Sequence, residues 1–213
     1  MVKRNGVILI VSAPSGAGKT TLIRKLMQSF PDIRLSVSYT TRETRPGEVP
    51  GRDYHFVAKK KFDQMRKRGE FAEWANVHGS FYGTPRTALE QNIRSGRDVL
   101  LDIDVQGSRR IKGGYPNAVS IFLLPPSVRE LHRRLARRQT DPREIIRKRL
   151  ENAKRELGEI HEYDYFVLNR EVRDALVALK SILVAERQRV SRVQSWKALS
   201  SMVKRRSKSK DHG

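Results

Sequence analysis

The apolar residues of this chain fall in short dense runs, with helix-period stretches between them. Val7-Ile8-Leu9-Ile10-Val11 is the densest run, and five such residues in a row suit a strand buried on both faces of a parallel sheet. From about Thr20 the pattern turns helical (LIRKLMQSF) and breaks at Pro31-Asp32. Leu35-Ser36-Val37-Ser38 alternates like a half-buried strand, Lys59 to Arg68 reads as a short helix with Phe62 and Met65 inward, and Phe71 to Val77 has strand character. Thr84 as N-cap, Pro85 at the first helical position and Gly96 just past the end predict a helix between them. Val99 to Asp104 is a second buried strand, with Asp102 and Asp104 at its C-terminal end, the edge where open α/β sheets bind ligands. Ser120 to Leu124 is a third, closed by Pro125-Pro126. Two helices with capping boxes follow: Ser127 with Glu130, then Asp141 with Glu144, with Pro142 at N1. Tyr165 to Leu168 is a last strand, and Val172 to Gln188 a closing helix with Leu176, Leu179, Ile182 and Leu183 inward. Strands alternating with helices predict an α/β fold, a parallel sheet with helices on both faces.

The turn between the first strand and helix carries the first chemistry. Residues 13–20, APSGAGKT, fit the phosphate-binding pattern G-x-x-x-x-G-K-[ST] everywhere except the first position, where Ala13 stands. Gly16 and Gly18 let backbone N–H groups close around phosphate oxygens, Lys19 reaches the β- and γ-phosphates, and Thr20 offers its hydroxyl to Mg²⁺. The helix that follows sets the positive end of its dipole beneath the phosphates. A Gly-rich turn with a chance lysine is the bland alternative, and the strand before and helix after favour a nucleoside triphosphate site.

Composition narrows the class. A chain of 213 residues buries a full core and reads as one domain, with lobes. No window approaches the roughly 20 apolar residues of a membrane span. The basic N-terminus leads into an apolar run too short for a signal peptide. Cysteine is absent, so disulfides and thiolate metal sites are excluded, and cytoplasm is the default compartment. The net charge is +21. The tail Lys204–Gly213, read as disordered, has five Lys/Arg against one Asp, a net +4, so +17 belongs to residues 1–203. A basic surface fits weak nucleic-acid binding, and equally an enzyme that holds two polyphosphates.

Two further constellations bear on phosphates. Arg129 to Arg155 holds eleven Lys/Arg against four Asp/Glu. Such a run is a solvated basic face, or a lid whose guanidiniums stabilise a transferring phosphoryl group. Tyr39 to Phe56 is rich in Arg, Gly and Pro, and offers Arg42, Arg45 and Tyr54 to a monophosphate. Glu73 and Asp104 are the carboxylates best suited to recognise a base. Guanine presents N1–H and N2–H₂ on one edge and one carboxylate accepts both, whereas adenine leaves it unpaired. Glu73 beside Trp74 reads equally as a surface carboxylate next to a core aromatic.

In this order, VSAPSGAGKTT, SVSYTTRETRPGEVPGRDYHF, FAEWANVHGSFYGT, LLDIDVQG and RRLARR…IIRKRL resemble guanylate kinase in its bacterial form, over about Gly6 to Arg192. The resemblance implies a P-loop NTPase core (residues 1–37, 98–125 and 158–203), a small inserted GMP-binding lobe (38–97) and a helical lid (126–157), in one domain ending near residue 203. It implies ATP and GMP as substrates, with Mg²⁺. Ala13, Pro14, Ser15, Gly16, Ala17, Gly18, Lys19, Thr20 and Thr21 would hold ATP, with Asn169 by the adenine and Thr20 on Mg²⁺. Ser38, Arg42, Arg45, Tyr54 and Tyr82 would grip the GMP phosphate and ribose region. Glu73, Thr84 and Asp104 would face the guanine, with Asp102 in the same site and Glu48 supporting the lobe. Lys19, Arg45, Arg138 and Arg149 would converge on the transferring group. The chain departs from the family pattern at Arg170, where Asp is frequent, and at Arg137, where Gly is common. Other readings are a ribose bisphosphate phosphokinase, which would not need the Arg42–Tyr54–Glu73–Tyr82 set, and a peptide-binding scaffold module, which would lack a working Lys19-Thr20. No membrane partner is expected, and the oligomeric state, homo-oligomer included, is open.

Overall fold

A computed structural model describes residues 3–77, 79–136 and 143–195, with backbone only for 134–136 and 143–149. Its elements in chain order are β1 (Ile8–Ser12), α1 (Lys19–Ser29), β2 (Arg34–Leu35), β3 (Tyr39–Thr40), β4 (His55–Phe56), α2 (Lys59–Lys67), β5 (Phe71–Val77) and β6 (Ser80–Pro85). Then come α3 (Arg86–Arg94), β7 (Val99–Asp102), α4 (Val105–Gly114), β8 (Val119–Leu124), α5 (Val128–Ala136), α6 (Arg143–Gly158), β9 (Tyr165–Leu168) and α7 (Val172–Arg187).

The main sheet runs β2-β7-β1-β8-β9, with every pairing parallel. β1 lies at its centre, which is why the apolar run is unbroken: both faces are covered. Leu9 and Val11 enter the core under α1 and α7 with Leu22, Leu26, Leu179 and Leu183. Ile8 and Ile10 enter the core on the other face with Leu89 of α3, Leu101 and Ile111 of α4. Asp98, 1% exposed, ties the N-terminal edge together. It accepts from the Arg4 guanidinium (2.6 and 3.0 Å), the Val7 N–H (2.8 Å) and Arg187 Nε (2.6 Å).

A second sheet, β4-β3-β6-β5, carries its own small core of Phe62, Met65 and Phe71. Phe62 stacks on Phe71 with ring centroids 4.6 Å apart, as the inward reading of α2 requires. Three sequence expectations change here. Leu35–Ser38 is not one strand: β2 ends at Leu35 in the main sheet, and β3 begins at Tyr39 in the second. Thr84 is not a helix cap. It lies in β6, antiparallel to β5, and Pro85 occupies the N-cap of α3. Pairing to β5 overrides the local Thr-Pro signal. The strand expected over Val99–Asp104 ends at Asp102, because Asp104 turns to cap α4, a helix the sequence pattern did not show. Gly96 does follow α3, with φ +82°, and Ser127 Oγ accepts the Glu130 N–H at 3.0 Å at the start of α5. The Asp141–Glu144 cap lies outside the described residues. In α7, Leu179 and Leu183 are buried, while Leu176 and Ile182 pack against the core from its margin.

Candidate active site

β1 delivers the chain into the loop 13–18 at the C-terminal edge of the main sheet, and α1 starts at Lys19. Gly16 and Gly18 have φ of 90° and 91°, the left-handed region that L-residues with a Cβ avoid. Backbone N–H groups of consecutive residues in such a loop converge into an anion-binding nest. The Ala17 N–H donates to the Pro14 carbonyl at 3.0 Å, closing the turn, and Ser12 Oγ donates to the Ile103 carbonyl at 2.9 Å, pinning the end of β1 to the turn after β7. Lys19 Nζ lies 2.5 Å from Asp102 Oδ1, so the carboxylate at the end of β7 neutralises the lysine. The Asn169 side chain is 3% exposed, and its amide donates to the Ala17 carbonyl at 2.7 Å.

Between this loop and the second sheet lies a cavity of about 730 Å³, lined among others by Thr20, Ser38, Arg42, Arg45, Glu48, Tyr54, Tyr82 and Asp102. Arg42 is its best-held cation. Two N–H groups grip both Glu48 oxygens at 2.8 and 2.9 Å, Nε donates to the Tyr82 hydroxyl at 3.2 Å, and the guanidinium lies 5.3 Å from the Tyr54 ring centre. Glu48 also accepts the Arg45 N–H at 2.8 Å, which orders the loop between β3 and β4. The Arg42 contact holds the Glu48 carboxyl below the usual range, and burial pushes the Tyr54 phenol up to about 12.

A smaller cavity of about 210 Å³ adjoins it, sharing Ser38, Tyr54, Tyr82 and Asp102 and adding Lys19, Glu73 and Asp104. Its far end is carboxylate. Along β5, Glu73 is 5% exposed and lines the smaller cavity, whereas Trp74 packs against the core of Phe62, Met65 and Phe71, with the guanidiniums of Arg66 and Arg110 at 4.8 and 5.0 Å from its ring centre. Glu73 is therefore not a surface residue, although its neighbour Trp74 does pack on a core as that alternative has it. Thr84 on β6 donates its hydroxyl to Glu73 Oε1 at 2.6 Å. Glu73 Oε2 approaches Gly107 so closely that a Cβ there would lie 3.1 Å from it, a contact tight enough to push on the carboxylate. Burial pushes Glu73 up to about 7, Asp104 adds to the rise, and the Thr84 hydroxyl and Arg110 oppose it. Asp104 itself is spent in part on capping α4, accepting the Gly107 N–H at 2.8 Å.

Of the expected site residues, Lys19, Thr20, Ser38, Arg42, Arg45, Glu48, Tyr54, Glu73, Tyr82, Asp102 and Asp104 line these two cavities, Thr84 reaches them through its bond to Glu73, and Asn169 touches the rest of the loop 13–21 at the Ala17 carbonyl. The side chains of Arg138 and Arg149 lie outside the described residues. Sequence reasoning missed Ser12, Gly107 and Glu156. Burial pushes Glu156 of α6 up to about 7, with Lys19 opposing the rise and Asp104 adding to it. Among the described residues no cluster of three or more His, Cys, Asp or Glu could hold a metal ion, and no helix is long and apolar enough to cross a membrane.

Comparison with known proteins decides the family. The guanylate kinase family model matches residues 5–186. The chain belongs to the guanylate kinase family. It is 50% identical over 194 residues to the guanylate kinase of Syntrophotalea carbinolica, covering 91% of this chain and 92% of that protein. Against the guanylate kinase of Geobacter sulfurreducens it is 50% identical over 192 residues, covering 90% and 95% of the two. Among solved structures, the guanylate kinase of Anaplasma phagocytophilum superposes with a TM-score of 0.79 at 36% identity, over 93% of this chain and 95% of that one. The fold is accordingly that of the family, a P-loop kinase core with a parallel sheet flanked by helices, and membership makes the chain a nucleotide-binding phosphotransferase.

Proposed function

We propose that the chain transfers the γ-phosphoryl group of Mg-ATP to GMP, giving ADP and GDP. The observation that carries this reading is Glu73: a buried carboxylate, fixed by Thr84, at the end of a cavity that opens onto the phosphate-binding side chains. An ionised carboxylate there accepts N1–H and N2–H of guanine together, and an adenine in the same place would set its N1 lone pair against carboxylate oxygen. Ser38, Arg42, Arg45, Tyr54 and Tyr82 face the phosphate end; Glu48 holds Arg42 and the loop of Arg45 in place.

The chemistry is in-line transfer. A phosphate oxygen of GMP attacks the γ-phosphorus, the bond to the bridging oxygen of ADP breaks, and no general base is needed because the attacking oxygen is already ionised. The work left to the protein is positioning and charge neutralisation. Lys19 changes partner, from Asp102 to the β- and γ-phosphates, with Arg45 and, on the family pattern, Arg138 and Arg149 of the lid completing the cationic shell. Mg²⁺ prefers hard oxygens and keeps several waters, so the Thr20 hydroxyl with substrate phosphates suffices, and no carboxylate cluster is required. When bound, it neutralises charge on the β- and γ-oxygens.

A pair of variants tests the assignment. Lys19→Ala is expected to abolish turnover with GMP binding largely intact, and Glu73→Ala to weaken GMP while leaving ATP affinity alone. Loss of GMP binding in the first, or an unchanged GMP response in the second, overturns the corresponding role.

A further inference from the structure

β5 is an edge strand of the second sheet, and α4 packs along it, which brings a basic helix against the strand that carries Glu73. We infer that Arg110 of α4 is a positioning residue for acceptor recognition: its uncompensated charge, anchored on Trp74 next to Glu73, keeps the carboxylate in the form that meets guanine. The inference rests on the guanine reading of that cavity. Residues 107–112, GSRRIK, put three cations within four positions, and the fold treats them differently. Arg109 is bound by Glu159 and Glu162 at 2.6 to 2.8 Å, and Lys112 by Asp164 at 2.8 and 2.9 Å. Arg110 meets no carboxylate among the described residues, and its guanidinium lies 5.0 Å from the Trp74 ring centre.

Helical spacing fixes where that charge sits. Gly107 and Arg110 are three residues apart, so they share one face of α4 with about one turn between them. A Cβ on Gly107 would lie 3.1 Å from Glu73 Oε2. The carboxylate therefore sits at one end of this face, and the guanidinium one turn further along, over the next residue of β5. The other arginine on Trp74 differs. Arg66 of α2 lies 4.8 Å from the same ring centre but pairs with Asp63 at 3.2 Å, so its charge is compensated locally. Around Glu73 the same cavity holds Asp102, Asp104, Tyr54, Tyr82 and Lys19, and Lys19 is taken up by Asp102. Among the described residues Arg110 is thus the cation near Glu73 that no carboxylate offsets. It opposes the rise that burial and Asp104 produce in the Glu73 carboxyl. The guanidinium is exposed and permanently charged, so its influence is constant with pH and weakens with salt. Without it, more of the protein carries a protonated Glu73 at neutral pH, and one of guanine's two donors then faces a hydroxyl.

The test reads Glu73 directly and through GMP. The parent, Arg110→Gln, Arg110→Lys and Arg66→Gln are compared at low salt, and Arg110→Gln is also combined with Glu73→Gln. In the nucleotide-free proteins, carboxyl-carbon NMR follows the titration of Glu73. Its midpoint is expected to rise in Arg110→Gln and to keep the parent position in Arg66→Gln. Calorimetry with GMP is expected to show Arg110→Gln losing about two- to fivefold in affinity at pH 6, the size of one partly exposed charge pair, with little change at pH 8.5. Arg110→Lys is expected to retain most of the parent profile, and the Arg110→Gln loss to shrink in about 1 M salt. Where Glu73 is already Gln, Arg110→Gln is expected to have no effect. An unmoved carboxyl midpoint in Arg110→Gln overturns the proposal. A GMP loss equal at both pH values also overturns it, because Arg110 would then only support β5, as does a loss that persists in the Glu73→Gln background. If the parent and Glu73→Gln bind GMP alike with the same pH dependence, the guanine reading falls instead, and the carboxyl titration still decides whether Arg110 acts on Glu73.

Discussion

The raised Glu73 carboxyl makes GMP affinity depend on pH in a calculable way. Burial is the largest influence and raises the carboxyl's value, Asp104 adds to the rise, and the Thr84 hydroxyl, Arg110 and the Thr84 backbone oppose it, with a resulting value of about 7. Guanine's two donors require the ionised form, so binding below that value first expels a proton. At pH 6 roughly one molecule in eleven is ionised and at pH 8 roughly ten in eleven, so GMP affinity is expected to fall about tenfold from pH 8 to pH 6, or about 1.4 kcal/mol. The GMP phosphate also ionises near pH 6, at about the value for phosphate monoesters generally, so the slope must be isolated. Glu73→Gln serves, because it leaves the phosphate site unchanged and removes this titration, while its loss of one guanine acceptor weakens GMP equally at every pH. Titration calorimetry at pH 6, 7 and 8, in buffers of different ionisation enthalpy, gives affinity and protons released together. The parent is expected to release up to one proton more than Glu73→Gln at pH 6 and to show the extra tenfold dependence. Equal slopes and equal proton release in both proteins would refute the claim that Glu73 meets the base.

Thr84→Val, which keeps the shape but removes the hydroxyl bonded to Glu73, should raise the Glu73 value further; GMP affinity measured at pH 7 then falls and recovers at higher pH, whereas a loss independent of pH would contradict this account. Glu156 titrates in the folded protein near 7 against 4.5 in an open chain, so its contribution to stability is full below pH 4.5 and lost as pH rises through 7. Glu156→Gln should therefore raise the melting temperature at pH 8 but not at pH 4.5, and an equal effect at both would count against that buried carboxyl. Asp98 shows the opposite sign: its value is lowered by Arg4, the Val7 N–H and Arg187, so its contribution stands above the unfolded value of 3.8 and is lost as pH falls. Asp98→Asn removes the charge partner of Arg4 and leaves Arg187 with Asp32 alone, a loss of about 3 kcal/mol and roughly 5–10 °C in melting temperature, with the GMP response unchanged.

Much of this was legible in the sequence, for physical reasons that differ by element. The loop 13–20 reads clearly because strand, glycines, lysine and helix are contiguous and each is demanded by local chemistry. β5 and α2 read clearly because one alternates and the other repeats with helical period against a single core. β6 does not, because its alternation is broken by Gly83, where a Cβ would fall 2.8 Å from the Phe71 ring, and because Thr84-Pro85 resembles a helix start. α4 is hidden by three glycines and a basic surface; its stability comes from the Asp104 cap and the burial of Ile111, which only tertiary structure reveals. In the site, residue types were readable but their pairings were not. Nothing local to Lys19 announces Asp102, and nothing near Asn169 announces Ala17. Whether Glu73 points in or out was open until β5 paired with β6 and Trp74 settled between two arginines.

The most direct measurement of the central claim is turnover with Mg-ATP and a panel of acceptors offered separately: GMP, AMP, UMP and ribose 1,5-bisphosphate, with ADP and the phosphorylated acceptor both quantified. Formation of ADP and GDP in equal amounts from GMP, with the other acceptors inert, is the expected result. Turnover of another acceptor in preference to GMP would keep the phosphate loop and contradict the guanine site, and no turnover with any acceptor would contradict the transfer reaction altogether.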